Sequence, residues 1–363
     1  MMDPALSKPH PNTRRMAWWL VICAVMVFGM VMLGGATRLT NSGLSMVQWK
    51  PLTLTPPLNN AQWQAEFENY QRSPQFEKVN SWMTVDDFKG IYWFEYLHRL
   101  WGRIIGFAFA APFLWFLTRR AVDRQLAWKL GGLFVLGGAQ GALGWFMVAS
   151  GLEDRPDVSQ YRLAAHLFTA LVLYAMLIWT ALDLFRDSKT ERAPGNAALS
   201  RIALSLAGVV LFVMISGAFV AGLDAGLTYN TFPLMDGKFI PDGIGMMDPW
   251  YLNVFENVTT VQFDHRLLAM TLLCLIAGGW MWARRLALPR TAKRLVHAVM
   301  GMVLIQVSLG ISTLLLVVPT PLALAHQTGA LTLFTLALCL AHATRAPARA
   351  AYYVPGLHTK PAE

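Results

Sequence analysis

The sequence predicts an all-α polytopic membrane protein whose eight transmembrane helices form two parallel-repeat four-helix bundles. Of its 363 residues, 55% are hydrophobic and only 14% are charged, whereas about a quarter of the residues in a soluble domain are charged. The charged residues lie between long apolar runs, and eight of these runs reach the roughly 20 residues that a helix needs to cross a bilayer. Motifs that recur in the two halves of the chain predict the two bundles.

The apolar runs define the predicted spans to within a few residues. They are 16–35, 90–117, 128–150, 163–185, 202–221, 258–283, 295–318 and 322–343. The first span follows a basic stretch, as a signal peptide does, but it continues past Met30 without an Ala-x-Ala cleavage site. We therefore interpret it as a helix that is retained in the membrane. Asp86 and Asp87 are N-cap candidates for the second span.

The basic residues indicate how the chain is oriented. Lys and Arg concentrate in both terminal tails and in the loops 118–129, 186–201 and 284–294. Because such loops face the cytoplasm, both termini are expected there or, in an organelle, in the matrix; the expected membrane is the bacterial plasma (inner) membrane. Two large loops, 36–89 and 222–257, then lie outside. The net charge of +9 reflects this topology, and no nucleic-acid partner is expected.

The first outer loop contains an amphipathic segment. Residues 60–70 would place Trp63, Phe67 and Tyr70 on one side of a short helix. Such a helix either lies on the outer surface as a lid or is an ordinary loop helix.

The two halves share motifs in the same order. Residues 34–38 and 43–45 resemble 217–219 and 226–228, residues 140–144 match 306–310, and residues 165–166 match 325–326. Each unit contains four spans, an even number, so both insert the same way up and the repeat is parallel about an axis along the membrane normal. We expect one bundle in 18–185 and another in 202–343, with cytoplasmic segments at 1–17, 186–201 and 344–363.

Four histidines lie at matching places within the spans: His98, His166, His265 and His326. Each lies about 6–14 Å below the outer boundary at 1.5 Å per residue. Two histidines at similar depth on neighbouring helices suit a haem whose iron takes one axial nitrogen on each face. A lone intramembrane histidine is more often a packing residue, and it is the duplication in pairs that favours ligands. A proton or ion pathway is the main alternative, although the inner halves of the spans offer few polar residues to continue it.

The remaining histidines and the cysteines are given no chemical role. The histidines are expected to be solvated or interfacial: His10, His297, His342 and His358. The cysteines lie inside apolar runs and are expected to be inert core thiols: Cys23, Cys274 and Cys339. No pair of loop cysteines indicates a disulfide or a zinc site.

Several residues near the four histidines have two interpretations. The glycines of the third span allow close approach either of a flat macrocycle or of another helix: Gly131, Gly132, Gly137, Gly138, Gly141 and Gly144. Gln140 and Gln306 suit a hydrogen bond to a haem edge or one between helices. Arg99 and Arg266 each follow one of the four histidines and suit either haem propionates or snorkelling to lipid headgroups. Weaker candidates for the propionates are Arg38 and Arg103.

Glu95 distinguishes the two halves. It precedes His98 by three residues, so the two side chains share a helix face, whereas Gln262 stands three residues before His265. An ionisable group at membrane depth is functional by default. The alternative is a helix salt bridge from Glu95 to Arg99, four residues further on.

Five stretches closely resemble the haem A synthase family. They are Gly34-Gly35-Ala36-Thr37-Arg38-Leu39-Thr40-Asn41-Ser42-Gly43-Leu44-Ser45-Met46, Trp49-Lys50-Pro51, Phe94-Glu95-Tyr96-Leu97-His98-Arg99, Gly222-Leu223-Asp224-Ala225-Gly226 and Tyr229-Asn230-Thr231-Phe232-Pro233-Leu234-Met235. The likeness covers about residues 18–343. The chain lacks the outer-loop cysteine pair of some bacterial members, and so it resembles the class found in alphaproteobacteria and mitochondria.

The resemblance implies an oxidoreductase that converts the C8 methyl of haem O to a formyl group, giving haem A for cytochrome c oxidase, with a bound haem b that relays electrons. It implies His98 and His166 as the pair in the substrate half, with Glu95 as the essential carboxylate. It implies His265 and His326 as the ligands of haem b. Since oxidising a methyl group removes hydrogen, a carboxylate has a role there as a base or electrostatic partner. We therefore predict turnover in the N-terminal bundle and electron relay in the C-terminal one.

The resemblance also implies partners. Haem O, with its farnesyl tail, would arrive laterally from the bilayer after haem O synthase (protohaem farnesyltransferase), and haem A would pass to cytochrome c oxidase assembly. The sequence leaves open the electron donor and acceptor, the source of the formyl oxygen and whether the chain forms a homo-oligomer. Two other classes stay open: a dihaem b-type electron-transfer protein linked to quinone, without porphyrin modification, and a channel or transporter.

Overall fold

The computed structural model describes residues 13–48, 55–153, 156–187 and 196–345. His10, His358 and the Trp49-Lys50-Pro51 motif lie outside the described residues, as do most of the two tails and half of the 186–201 linker. The helices in chain order are α1 (Thr13–Leu39), α2 (Asn60–Gln71), α3 (Val85–Thr118), α4 (Arg124–Ala149), α5 (Gln160–Asp187), α6 (Ala197–Gly222), α7 (Asn253–Glu256), α8 (Val258–Ala283), α9 (Arg290–Leu315) and α10 (Thr320–Thr344).

All of these helices except the short α2 and α7 are long and apolar enough to cross a membrane. The predicted all-α protein with eight spans is therefore confirmed, and most of the helices extend a few residues beyond the predicted apolar runs. Within the described ranges no β-strand forms. A backbone crossing the bilayer core has to satisfy its own hydrogen bonds, which a helix does within a single segment.

The start of α3 differs from expectation. Thr84 is the N-cap: its hydroxyl accepts from the Asp87 N–H, and the Asp87 carboxylate accepts from the Thr84 N–H at 3.0 Å, forming a capping box. The expectation that Asp86 or Asp87 is the N-cap is wrong because the helix already begins at Val85. Side-chain caps of the expected residue types start α4, α6 and α8: Asp123, Asn196 and Asn257.

The transmembrane helices pack as two closed rings. One ring contains α1, α3, α4 and α5, and the other contains α6, α8, α9 and α10. Between the rings, α1 packs on α10, and α5 packs on both α6 and α10. These four helices are accordingly the most buried of the spans. The contacts support the division into bundles at 18–185 and 202–343, which we keep as a proposal.

An ionic cluster joins α5 to α10 at the helix ends opposite the four paired histidines. His342 Nε2 lies 3.0 Å from Asp183 Oδ1, and Arg345 donates to the same oxygen at 2.8 Å. Lys129 of α4 lies 3.7 Å from Asp183 Oδ2. His342 is buried, so the expectation of a solvated or interfacial side chain is wrong. Asp183 provides the hydrogen-bond partner that a buried polar ring needs.

The three cysteines are free. Cys23 is buried and Cys339 is partly buried, as expected for core thiols, whereas Cys274 is exposed on the outside of α8. The expectation of a core position is therefore wrong for Cys274.

Candidate functional site

The four predicted ligand histidines lie near the starts of four helices. His166, His265 and His326 are in the second turn of α5, α8 and α10, and His98 is in the fourth turn of α3. In an eight-span chain these four helices run in the same direction, so the histidines lie toward the same side of the molecule. All four residues are partly buried.

The histidines are paired within each ring of helices. His98 of α3 and His166 of α5 belong to one ring of helices, and His265 of α8 and His326 of α10 belong to the other. In the part of the chain that the structure describes, no three His, Cys, Asp or Glu side chains converge as they would to hold a bare metal ion. Two imidazoles supply the axial ligands of an iron whose remaining ligands come from a porphyrin, so each pair fits a haem.

Each of the four imidazoles packs against a glycine of another helix. The distances from a Cβ built on the glycine to the ring Cε1 are Gly34–His98 3.2 Å, Gly144–His166 2.9 Å, Gly217–His265 3.1 Å and Gly310–His326 2.8 Å. Any larger residue at these positions would push the ring away. The glycines therefore let each ring lie against the neighbouring backbone, which fixes its direction.

The other glycines of α4 have a different environment. A Cβ built on any of four of them would have nothing within 4 Å in the described structure: Gly132, Gly137, Gly138 and Gly141. Close helix packing therefore does not account for these four positions. Their surface is open in the described structure.

Two glutamines brace the second histidine of each pair. Gln140 Nε2 lies 3.0 Å from His166 Nδ1 and donates to the His166 carbonyl at 2.8 Å. Gln306 has the same relation to His326, at 3.1 and 2.9 Å. Of the two interpretations of these glutamines, the structure contains the interhelical bond. The side-chain oxygens of both glutamines are buried and have no partner among the described residues, so each site retains an acceptor that a bound group or a rotated amide would satisfy.

Glu95 is buried where α3 meets the first outer loop. Its Oε2 accepts hydrogen bonds from Ser45 Oγ and the Met46 N–H, both at 2.8 Å, and its Oε1 accepts from Arg99 at 2.5 Å. Arg99 also donates to the carbonyls of Met46 and Gln48. The carboxylate and the guanidinium thus hold the loop after α1 against α3, and the helix salt bridge considered as an alternative is present.

Gln262 and Arg266 hold the second outer loop in a similar way. Gln262 Nε2 donates to the carbonyls of Ala225 and Tyr229, at 2.8 and 3.2 Å. Arg266 donates to the carbonyls of Tyr229 and Thr231 and to Gln262 Oε1. In the first half the acid meets loop donors, and in the second half the amide meets loop carbonyl acceptors.

The amphipathic segment of the first outer loop forms α2. Its apolar side packs on the first turns of α3, where Trp63, Phe67 and Tyr70 form a buried cluster with Phe88, Tyr92 and Tyr96. The rings of Tyr70 and Phe88 stack with their centroids 5.1 Å apart, and burial raises the pKa of Tyr70. The helix therefore covers the segment of α3 that precedes His98.

Two hydroxyls at this site were not predicted from the sequence. Ser45 bonds to Glu95, and Ser216 Oγ lies 2.7 Å from His265 Nδ1. Ser45 lies inside a motif that was already recognised, and Ser216 directly precedes a glycine of the repeat. A comparison of the two halves could have pointed to Ser216, because the matching residue in the first half is Leu33, which has no hydroxyl.

Residues 17–338 match the COX15-CtaA family, described as cytochrome oxidase assembly protein. The chain belongs to this family. Similar COX15-CtaA proteins carry the name heme A synthase: the Nitrosospira multiformis protein is 52% identical, with 91% of this chain and 93% of the relative covered. The Parvibaculum lavamentivorans protein is 48% identical, with coverage of 93% and 96%. Heme A synthase COX15 of Arabidopsis thaliana is also 48% identical, with coverage of 91% and 74%. The resemblance inferred from the motifs is thereby confirmed.

Proposed function

We propose that this COX15-CtaA protein is a haem A synthase, an oxidoreductase that converts the C8 methyl of haem O to the formyl group of haem A for cytochrome c oxidase. Relatives with this name are about half identical to it over most of its length. The observation that carries the proposal is the duplicated pair of imidazoles, each ring set against a glycine. A protein that holds one haem as substrate and another as cofactor needs two such sites.

The two pairs have separate roles in this proposal. His98 and His166 would hold haem O, and His265 and His326 would hold haem b. The haem b would supply one-electron redox chemistry when bound. The chain itself orients the four imidazoles: the glycine contacts set the direction of the rings, and Gln140 adds a bond to His166 as Gln306 does to His326.

Glu95 is assigned to the chemistry of the first half. It lies one turn before His98 on α3, and its bonds to Ser45, Met46 and Arg99 hold it in place. A carboxylate held there can accept a proton or offset positive charge as the methyl group loses hydrogen. Gln262 can do neither, which supports turnover in the N-terminal bundle and electron relay in the C-terminal one.

Arg99 and Arg266 are assigned to the propionate edges of the two haems. Both guanidiniums are bonded to loop carbonyls, so their first contribution is to hold the outer loops over those edges. Arg266 Nε is buried and has no partner within the described residues, and this N–H suits a propionate oxygen.

The membrane setting completes the proposal. We place the protein in the bacterial inner membrane with both termini in the cytoplasm, as the basic loops indicate. Haem O, received from haem O synthase, enters laterally with its farnesyl tail in lipid, and haem A passes on to cytochrome c oxidase assembly.

The test is extraction and mass analysis of the porphyrins in protein purified from cells that make haem O. We expect haem b together with haem O or haem A. His265→Ala and His326→Ala should each abolish one low-spin b-type spectrum, and if both variants keep a normal complement of haem b the ligand assignment is wrong. Unmodified haem b alone would favour the dihaem electron-transfer protein. A sample without a haem absorption band would favour a channel or transporter.

A further inference from the structure

Ser216 is the only described residue whose side-chain oxygen hydrogen-bonds to the ring of His265. Its Oγ lies 2.7 Å from His265 Nδ1, and it donates to the Val213 carbonyl of the preceding turn at 2.8 Å. A serine hydroxyl has one proton, so both contacts are hydrogen bonds at once only when that proton goes to the carbonyl. Nδ1–H is then the donor in the ring-side contact and Oγ is the acceptor.

This direction fixes the tautomer of His265. A neutral imidazole that carries its proton on Nδ1 has its lone pair on Nε2, the nitrogen left for an axial bond to iron. A hydrogen bond accepted from Nδ1–H also makes the ring a stronger ligand. The Gly217 backbone sets the direction of the His265 ring, and the adjacent Ser216 keeps the ring proton on Nδ1. Two consecutive residues of α6 therefore set both the orientation and the tautomer of one ligand.

The first half keeps the glycine and lacks the hydroxyl. Gly34 contacts His98 as Gly217 contacts His265, with built Cβ to Cε1 distances of 3.2 and 3.1 Å. The residue before Gly34 is Leu33, whose side chain cannot accept a hydrogen bond from the ring. In the described structure no side chain hydrogen-bonds to the His98 ring, whereas Ser216 Oγ lies at hydrogen-bond distance from Nδ1 of His265.

We infer that Ser216 is a positioning residue that makes His265 a strong haem ligand, and that Leu33 at the matching position leaves His98 a weaker and more easily displaced ligand than His265. The inference rests on the proposed function, because it takes a haem to be bound by each pair. The difference suits the two roles: a resident haem has to stay, whereas a substrate haem has to enter and its product has to leave.

The first experiment compares Ser216→Ala with wild type and with Ser205→Ala, which removes an exposed serine from the same helix. Purified holoprotein is mixed with excess apomyoglobin, and the rate at which haem b is lost is followed by absorbance. We expect Ser216→Ala to lose haem b on the order of 10- to 100-fold faster, as for other variants that lack a partner of a metal-bound histidine. Its haem b midpoint potential should rise, since a weaker donor ligand stabilises ferric iron less. Ser205→Ala should match wild type.

Two further variants separate ligand strength from folding. Ser216→Thr keeps the hydroxyl and should restore slow haem loss and the wild-type potential. Leu33→Ser introduces the missing acceptor, so it should slow the release of haem from the N-terminal half and leave haem b unchanged.

The outcomes distinguish the two proposals. If wild-type protein binds no haem b through His265, the proposed function fails, and the role of Ser216 fails with it. If haem b is bound and Ser216→Ala matches wild type in both haem loss and potential, only the role of Ser216 is overturned. If Ser216→Ala does not fold, Leu33→Ser provides the test. An unchanged rate of haem release from the N-terminal half of that variant would overturn the inference.

Discussion

Ser45 Oγ donates a hydrogen bond to Glu95 Oε2 at 2.8 Å, and this bond ties the carboxylate of α3 to the loop that follows α1. In the second half, Gln262 takes the place of Glu95 and donates to the Ala225 carbonyl at 2.8 Å. The exchange of acid for amide therefore matches the polarity of the loop groups that each side chain meets. A test of Glu95 has to separate this structural role from chemistry.

Glu95→Gln should stop haem A formation while both haem sites stay occupied. The amide keeps the size of the side chain and one acceptor oxygen, but it can neither take up a proton nor offset positive charge. Mass analysis of the extracted porphyrins should show that haem O or a hydroxylated intermediate accumulates. If Glu95→Gln makes haem A at the normal rate, Glu95 is structural, and the roles given to the two halves lose their main support.

The matched control for that variant is Ser45→Ala. It removes one hydrogen bond to the carboxylate, worth about 1 kcal/mol, and leaves the negative charge in place. We expect it to form haem A. Loss of haem A as complete as in Glu95→Gln would show that the position of the carboxylate, held by the loop, is what matters.

The reciprocal exchange, Gln262→Glu, should destabilise the second half. The new carboxylate would face the Ala225 and Tyr229 carbonyls, to which Gln262 now donates, and two acceptors cannot share a hydrogen bond. We expect a cost of about 1–3 kcal/mol, seen as a lower thermal midpoint for loss of the haem b band. Gln64→Glu makes the same chemical change on the exposed side of α2 and should have no effect. An unchanged midpoint in Gln262→Glu would contradict the loop contacts.

Gly217→Ala should displace the ring of His265. The added Cβ would lie 3.1 Å from His265 Cε1, whereas a Cβ at Gly208 on the same helix meets nothing within 4 Å. We expect Gly217→Ala to reduce the haem b content of the purified protein and to shift its low-spin spectrum, and Gly208→Ala to leave both unchanged. Equal haem spectra in the two variants would mean that the glycine contact does not orient the ligand.

The sequence was most informative where one pattern dominates. A long apolar run has few alternatives to a membrane helix, so all eight spans were predicted, and the duplication made the four histidines stand out. The capping box at Thr84 was missed because both aspartates that follow are also good caps. The burial of His342 was missed because Asp183, its partner, is 159 residues away in the sequence. The directions of the hydrogen bonds at Glu95 and Ser216 depend on loop and backbone groups that residue types do not reveal.

The membrane orientation can be tested without any haem chemistry. The basic loops place both termini inside and the 36–89 loop outside. A reporter that is active only outside the cytoplasm should be active when fused within that loop and inactive when fused in the 118–129 loop. A cytoplasmic location of the 36–89 loop would contradict the orientation and the placement of the histidines toward the outer leaflet.

The role of α2 as a cover for the first half gives the last prediction. Trp63, Phe67 and Tyr70 are buried against α3 in the turns that precede His98, so polar substitution of all three should detach the helix. We expect slower haem O turnover with an unchanged haem b spectrum, because among the described helices α2 packs mainly on α3. The control is Gln64→Ala with Glu68→Ala, on the exposed side of the same helix, which should turn over normally. If the triple variant keeps wild-type kinetics, α2 is an ordinary loop helix; if it also loses haem b, the cluster supports the whole fold and its effect is not specific to the substrate half.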